Sequence, residues 1–300
     1  MRWAFMAAAV AMAVPTFGDD TEEIKPLSVE QATELVATTK GPLFLDGGTI
    51  LTPETAEILA RHEGMLYLRE IDSLTPELAE ALAKHSGGIN FEVSTLTIEA
   101  AEVLAKHKGS LVIGGLTTLS EGVAEALATH DGSVGLHSLN TLSLEDAETL
   151  SKLKEWLVLP SLSALSPEVA EALAKHEDAL ILGKCPDLSP EVAEALAKHD
   201  GLLILKYQKS LTDQAAAALA KHRGWLDLDL GTLTPGAALA LAKHEGRLDF
   251  SGLKTLCDEA ASALAKHRGE LNLGHLETLS AEAVEMLRSN PEIRLPEKFR

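Results

Sequence analysis

The chain has 300 residues, 45 acidic and 26 basic, for a net charge of −19. So large a negative excess argues against phosphate-backbone recognition and against adhesion to an anionic membrane. Aromatic residues make up only 4% of the chain, which fits a molecule built from alanine and leucine.

At the start, Arg2 precedes an apolar run from Trp3 to Val14, followed by Pro15, Thr16, Phe17, Gly18 and then Asp19 and Asp20. The pattern predicts a secretory signal peptide over residues 1–18, too short to span a membrane, with cleavage after Gly18. No cysteine follows that would accept a lipid anchor. The expected location is therefore secreted or periplasmic, and residues 19–26 form a charged lead-in.

From Leu27 onward one unit recurs, beginning at Leu27, Leu51, Leu74, Leu96, Leu119, Leu142, Leu165, Leu188, Leu211, Leu233, Leu256 and Leu279, at steps of 22 to 24 residues. In the copy at Leu188, Ser189 is an N-cap and Pro190 stands at the first helical position. Glu191 places negative charge at the positive helix end. Leu188 can staple the first turn, and Val192, Ala193, Leu196 and Ala197 share an apolar face. Glu194 and Lys198 lie four apart on the wet face, the favourable order for an ion pair. Gly201 is expected to end the helix in a left-handed conformation. Leu203 and Leu205 then alternate with Ile204 and Lys206, the period of a strand.

A helix and strand of this size cannot bury an apolar face alone, so the units must stack. Stacking makes the strands parallel and the crossovers right-handed. The expectation is an α/β right-handed solenoid over residues 27–300, of about twelve units, with one parallel sheet on the concave face. Leu271, Leu273, Leu276 and Leu279 in L-N-L-G-H-L-E-T-L resemble the L-x-L-x-x-L-x-x-L stretch of leucine-rich repeats. The resemblance covers residues 27 to about 295 and is closest to exported bacterial repeat proteins of planctomycete type. The sequence departs from the family pattern in lacking a regular asparagine after the strand and in its alanine-rich, histidine-ended helix.

The first unit is irregular, with Thr38 and Thr39 where later units carry Lys and His, and reads as an N-terminal cap. Asn290, Pro291 and the short run Ile293–Leu295, stopped by Pro296, read as the C-terminal cap. The unit at Leu142 breaks pattern, with Leu153 in place of the histidine, Glu155 in place of the glycine, and Trp156 and Pro160 flanking its strand.

The most conspicuous chemical feature is a histidine column: His62, His85, His107, His130, His176, His199, His222, His244 and His267. Stacked imidazoles could in principle hold metal or relay protons. No H-E-x-x-H or paired carboxylate accompanies them, and Leu153 shows that packing alone satisfies the position. We read the column as a structural ladder, each ring meeting a backbone carbonyl near the helix end, with no metal and no cofactor. Cys185 and Cys257 lie about three units apart, too far for a disulfide, and read as free thiols. No phosphate loop, dinucleotide fingerprint or nucleophile elbow is present, so no catalytic residues are assigned.

What varies is the outward row of the sheet. Phe44, Tyr67, Asn90, Val112, Gly135, Val158, Ile181, Ile204, Asp227, Asp249 and Asn272 form its middle column, with Trp156, Leu202 and Trp225 in the column before. Val158, Ile181, Leu202 and Ile204 with the two tryptophans predict one exposed apolar patch, bordered by Asp227, Asp229 and Asp249. That is the composition of a protein-binding site. The expected function is a non-enzymatic interaction scaffold for an unknown protein partner. The alternative is carbohydrate binding, with Trp156, Tyr67 or Trp225 stacking on sugar rings.

Overall fold

The computed structural model describes residues 25–45, 49–69, 71, 73–183 and 188–300. The signal segment and Cys185 fall outside the described residues.

Among the described residues, twelve α-helices alternate with the strands of a twelve-stranded sheet. In chain order the sheet runs through Leu43–Leu45, Leu66–Leu68, Ile89–Glu92, Leu111–Gly114, Val134–Leu136, Leu157–Leu159, Leu180–Leu182, Leu203–Gln208, Leu226–Leu230, Leu248–Asp249, Leu271–Asn272 and Ile293–Arg294. Each strand pairs in parallel with the one before and the one after it, so sequence order is spatial order. The chain is an open solenoid.

The local chemistry explains the repeat. The helix Pro190–Leu196 starts at Ser189, whose hydroxyl accepts from the Val192 N–H, with Pro190 in the first turn where its missing N–H costs nothing. The same cap recurs at Thr52, Thr75, Ser166 and Thr234. Leu188, Val192, Ala193, Ala195 and Leu196 are buried with Leu203 and Leu205 of the strand. Ala195, absent from the expected face, is buried because the neighbouring helices pack closely there, and Ala197 is only half-buried. Leu271, Leu273 and Leu276 are buried and Leu279 packs against them, so every leucine of that L-x-L-x-x-L-x-x-L stretch serves the core.

The helix end differs from expectation. Among the described residues, positive φ at glycine occurs at Gly41, Gly115 and Gly122, and Gly201 is not one of them. The helix closes instead by tightened turns, Lys198 N–H to Ala195 O and His199 N–H to Leu196 O. Gly201 is needed for space: a Cβ there would strike the Asp178 carbonyl and lie 2.8 Å from the His199 Nε2. The wet face differs too. Lys198 reaches back to Glu171 at 2.7 Å, and Glu194 is taken by Lys221 of the following unit at 3.0 Å, so the ion pairs bind units together.

Strands lie about 4.8 Å apart, whereas packed helices need about 8–10 Å. Two layers stacked in step must therefore curve toward the sheet, which places its solvent face on the inside. At the N-terminal end Lys25–Pro26, the close of the lead-in, pairs in parallel with Thr49–Ile50, and near the other end Thr255 bridges Thr278. Both mark a second, sparse ladder just ahead of the helices. Beyond Ile293–Arg294 a short 3₁₀ turn, Glu297–Phe299, is tied down by Arg288, which donates to the carbonyls of Phe299 and Arg300.

Candidate functional site

Strand register turns the sequence column into a physical row. Phe44, Tyr67, Asn90, Val112, Gly135, Val158, Ile181, Ile204, Asp227, Asp249, Asn272 and Arg294 are successive register partners across the sheet. Their neighbours along each strand point into the core, so this row lies on the solvent face.

The centre of the row is not open. Val158, Ile181 and Ile204 are 1%, 4% and 9% exposed and form a second apolar cluster, separate from the main core, with Trp156 and Leu202 packed against it. The expected exposed patch is thus a small outer core whose solvent-facing parts are the half-buried Trp156 and Leu202. The physical reason is the short spacing of parallel strands, which presses branched side chains in one row together until little of each remains accessible. Beside this cluster, the His137 ring lies over Gly135, where a Cβ would come within 3.1 Å of its Nε2. Burial holds the His137 pKa below the usual histidine range.

Toward the C-terminus the row becomes a polar network. Lys206 Nζ is 3.2 Å from Asp227 and 3.3 Å from the Ser251 hydroxyl, which itself donates to Asp227 at 3.0 Å. Burial raises the Asp227 pKa, opposed by the Lys206 charge. Asp249, only 7% exposed, accepts from Asn272 at 2.8 Å and from Arg247 at 3.4 Å. Arg247 also reaches Glu270 and lies over the Trp225 ring at 3.8 Å. Asp229 accepts from the Tyr207 N–H at 3.4 Å. Tyr207 bulges from its strand with φ of 60° and is half exposed. Its bulge marks the register shift between Leu205 and Gln208. Nothing in the sequence pattern signalled this bulge. The acidic border is therefore largely satisfied from within.

At the opposite end Phe44 and Tyr67 stack with centroids 4.5 Å apart. One face of Tyr67 and one of Trp225 are thus already occupied, which leaves less aromatic surface for a sugar ring than the sequence suggested.

The histidines occupy a different place, under the turns between helix and strand, and all nine are buried. His85, His107 and His130 stack at 6.1 to 6.2 Å, and His176 to His267 form a second stack at 5.9 to 6.3 Å. Leu153, 2% exposed, stands between the two stacks. The Nε2 atoms of His62, His85 and His130 lie 2.6 to 3.0 Å from the carbonyls of Gly41, Gly64 and Gly109, each in the preceding unit. For His107, His244 and His267 the matching glycine carbonyls lie alongside but outside good hydrogen-bond geometry. His176 adds an Nδ1 contact to Ser151 O at 3.3 Å, whereas both ring nitrogens of His107, His199, His222, His244 and His267 lack a hydrogen bond among the described residues, so a carbonyl partner is met in only part of the column. Parallel rings stacked at this spacing do not converge as metal ligands must. Asn290 holds the same place in the last unit and donates to Ala265 O and His267 O at 3.0 and 2.8 Å. Asn290 lacks the imidazole that marks the column in the sequence, but its amide N–H supplies a donor of the same kind.

The sequence matches no protein-family model and no curated protein. Among solved structures it is similar to a leucine-rich-repeat protein of Leptospira interrogans, 18% identical, covering 91% of this chain and 76% of that one, with a TM-score of 0.44. It is also similar to an internalin of Listeria monocytogenes, 13% identical, covering 89% and 88%, with a TM-score of 0.38. The architecture stands on this chain's own register and core: a leucine-rich-repeat-like solenoid with one continuous parallel sheet.

Proposed function

We propose that the protein is an exported interaction scaffold that binds a partner protein on the solvent face of its sheet, around Trp156 and Leu202. The observation that carries this reading is the outer cluster itself. Val158, Ile181 and Ile204 sit on the side of the sheet away from the main core, yet are held as a rigid apolar floor under two half-buried large side chains. A preformed apolar floor rimmed by fixed charges (Lys206, Asp227, Arg247 and Asp249) is what a protein interface uses to limit the ordering cost of binding. Export rests on the signal-like residues 1–18, and mature protein beginning at Asp19 would support it.

Alanine replacement of Trp156 and Trp225 is not a neutral probe, because Trp156 covers buried side chains and Trp225 carries Arg247. A photo-crosslinking residue placed at Leu202 on the sheet face, or at Glu194 on the helix face, tests the face without removing either. Mature protein incubated with the secreted proteins of its source should capture one discrete partner from position 202 and not from position 194. Capture from position 194 alone would place the interface on the helices and overturn the reading.

A further inference from the structure

The helix face carries its own regularity, and the place where it stops is informative. Lys84, Lys175, Lys198 and Lys221 each bridge to a glutamate of the preceding unit, Glu57, Glu148, Glu171 and Glu194, at 2.6 to 3.8 Å. Lys106 and Lys152 form no such bridge, but Glu80 and Glu125 stand at the matching positions of their preceding units. In the three units after the one that carries Glu194 the glutamate is missing, its place taken by Ala217, Leu239 and Ser262. The position that should answer Lys243 is Ala217, and the one that should answer Lys266 is Leu239.

Leu239 is 55% exposed, the highest value among the large exposed apolar side chains of the described residues. Lys243, Lys266 and Arg268 are exposed and have no carboxylate partner among the described residues. Leu239 and these cations line a groove of about 380 Å³ between the ends of the helices Pro235–Leu241 and Asp258–Leu264, with Glu245 as its one carboxylate. Three cations against one anion make a locally positive, partly apolar surface on a chain of net charge −19. With screening over about 8 Å at physiological salt, the local charges govern what approaches. Exposed ion pairs add little to stability, so the lack of glutamate at these positions costs the fold little.

We propose that this groove docks an acidic segment of a partner protein, whose carboxylates pair with Lys243, Lys266 and Arg268 and whose apolar side chain rests on Leu239. The site is distinct from the sheet face and faces the other way. Charge complementarity selects the occupant: the segment supplies the carboxylates that Glu171 and Glu194 supply two units upstream.

The test uses the full chain and a fluorescent peptide of about twelve residues, mostly glutamate with leucine at every fourth place, read by anisotropy at low salt. The double variant Ala217→Glu, Leu239→Glu rebuilds the upstream arrangement and so keeps the fold, as a urea melt verifies. Binding should weaken about tenfold or more in that variant, and a peptide with lysine for glutamate should not bind the unmodified chain. Equal affinity of the double variant, binding of the lysine peptide, or no binding at all would overturn the proposal. So would concentration-dependent self-association abolished by the same variant, which would make the occupant a second copy, or retention on phosphatidylglycerol vesicles in place of the peptide.

Discussion

At the scale of single residues, the column position shows how one requirement can be met by three side chains. His62, His85, His130, His176 and Asn290 fill it with a polar group held against a carbonyl of the preceding unit, the other histidines fill it as buried stacked rings, and Leu153 fills it with volume alone. The glycine two places on is tied to the same ring, since a Cβ at Gly64, Gly87, Gly109, Gly132, Gly201, Gly246 or Gly269 would lie 2.7 to 3.1 Å from the histidine Nε2. Burial depresses the pKa of His85, His107, His176, His199, His222, His244 and His267, to about 4 for His107 and His222. Stacked neighbours add to the depression in His107 and His222, because a charge on one ring repels a charge on the next. A base with a depressed folded pKa binds protons more readily when unfolded. Its stabilising contribution is whole above the unfolded value of about 6.5 and is lost as pH falls from there toward the folded pKa. Urea midpoints should therefore drop between about pH 7.5 and 5, before the exposed carboxylates titrate. Changing several column histidines to leucine should flatten that drop. A midpoint unchanged across the window would refute buried neutral imidazoles.

At the scale of the element, each helix is only seven or eight residues in most units, too short to hold itself without caps and tertiary packing. The helix Asp258–Leu264 is the instructive case: its N-cap is Cys257, which has extended backbone but makes no side-chain capping bond. Its equivalents Thr234 and Ser280 cap the next unit on either side, accepting from Ala237 N–H and Ala283 N–H. Cys257→Ser should supply the missing acceptor and raise stability by about 0.5–1 kcal/mol, read as a higher urea midpoint at unchanged slope. Because Cys257 is exposed, the same change should also abolish labelling by maleimide at that position. Lower stability in Cys257→Ser would show that the cap geometry there cannot use a hydroxyl.

At the scale of the whole molecule, the fold is a sum of unit stabilities and nearest-neighbour contacts, because every strand pairs only with the strands of adjoining units. The ion pairs and the two histidine stacks obey the same rule, and the Lys206 to Ser251 hydrogen bond, which reaches two units on, is a local exception on the sheet face. Deleting residues 96–118, one whole unit, should therefore close the gap by bringing Leu119 into the place of Leu96. The product should remain folded, with circular dichroism per residue retained and a shorter maximum dimension in solution scattering. A collapse to an unfolded chain would mean that the stack depends on contacts beyond neighbours.

The sequence alone determined the unit, its caps, the strand positions and even the column in which Phe44 through Asn272 align, because each of these depends on spacing within a unit and a fixed step between units. Tertiary structure decided what depends on the distance between units. Close strand spacing buried Val158, Ile181 and Ile204 on the face where exposure was expected, and drew Asp227 and Asp249 into bonds with Lys206, Arg247 and Asn272. Contact with the preceding turn made Gly201 a matter of room and not of dihedral freedom. The pairing of Glu194 with Lys221 in preference to Lys198 followed from the approach of adjacent helices, which no pattern within one helix can report.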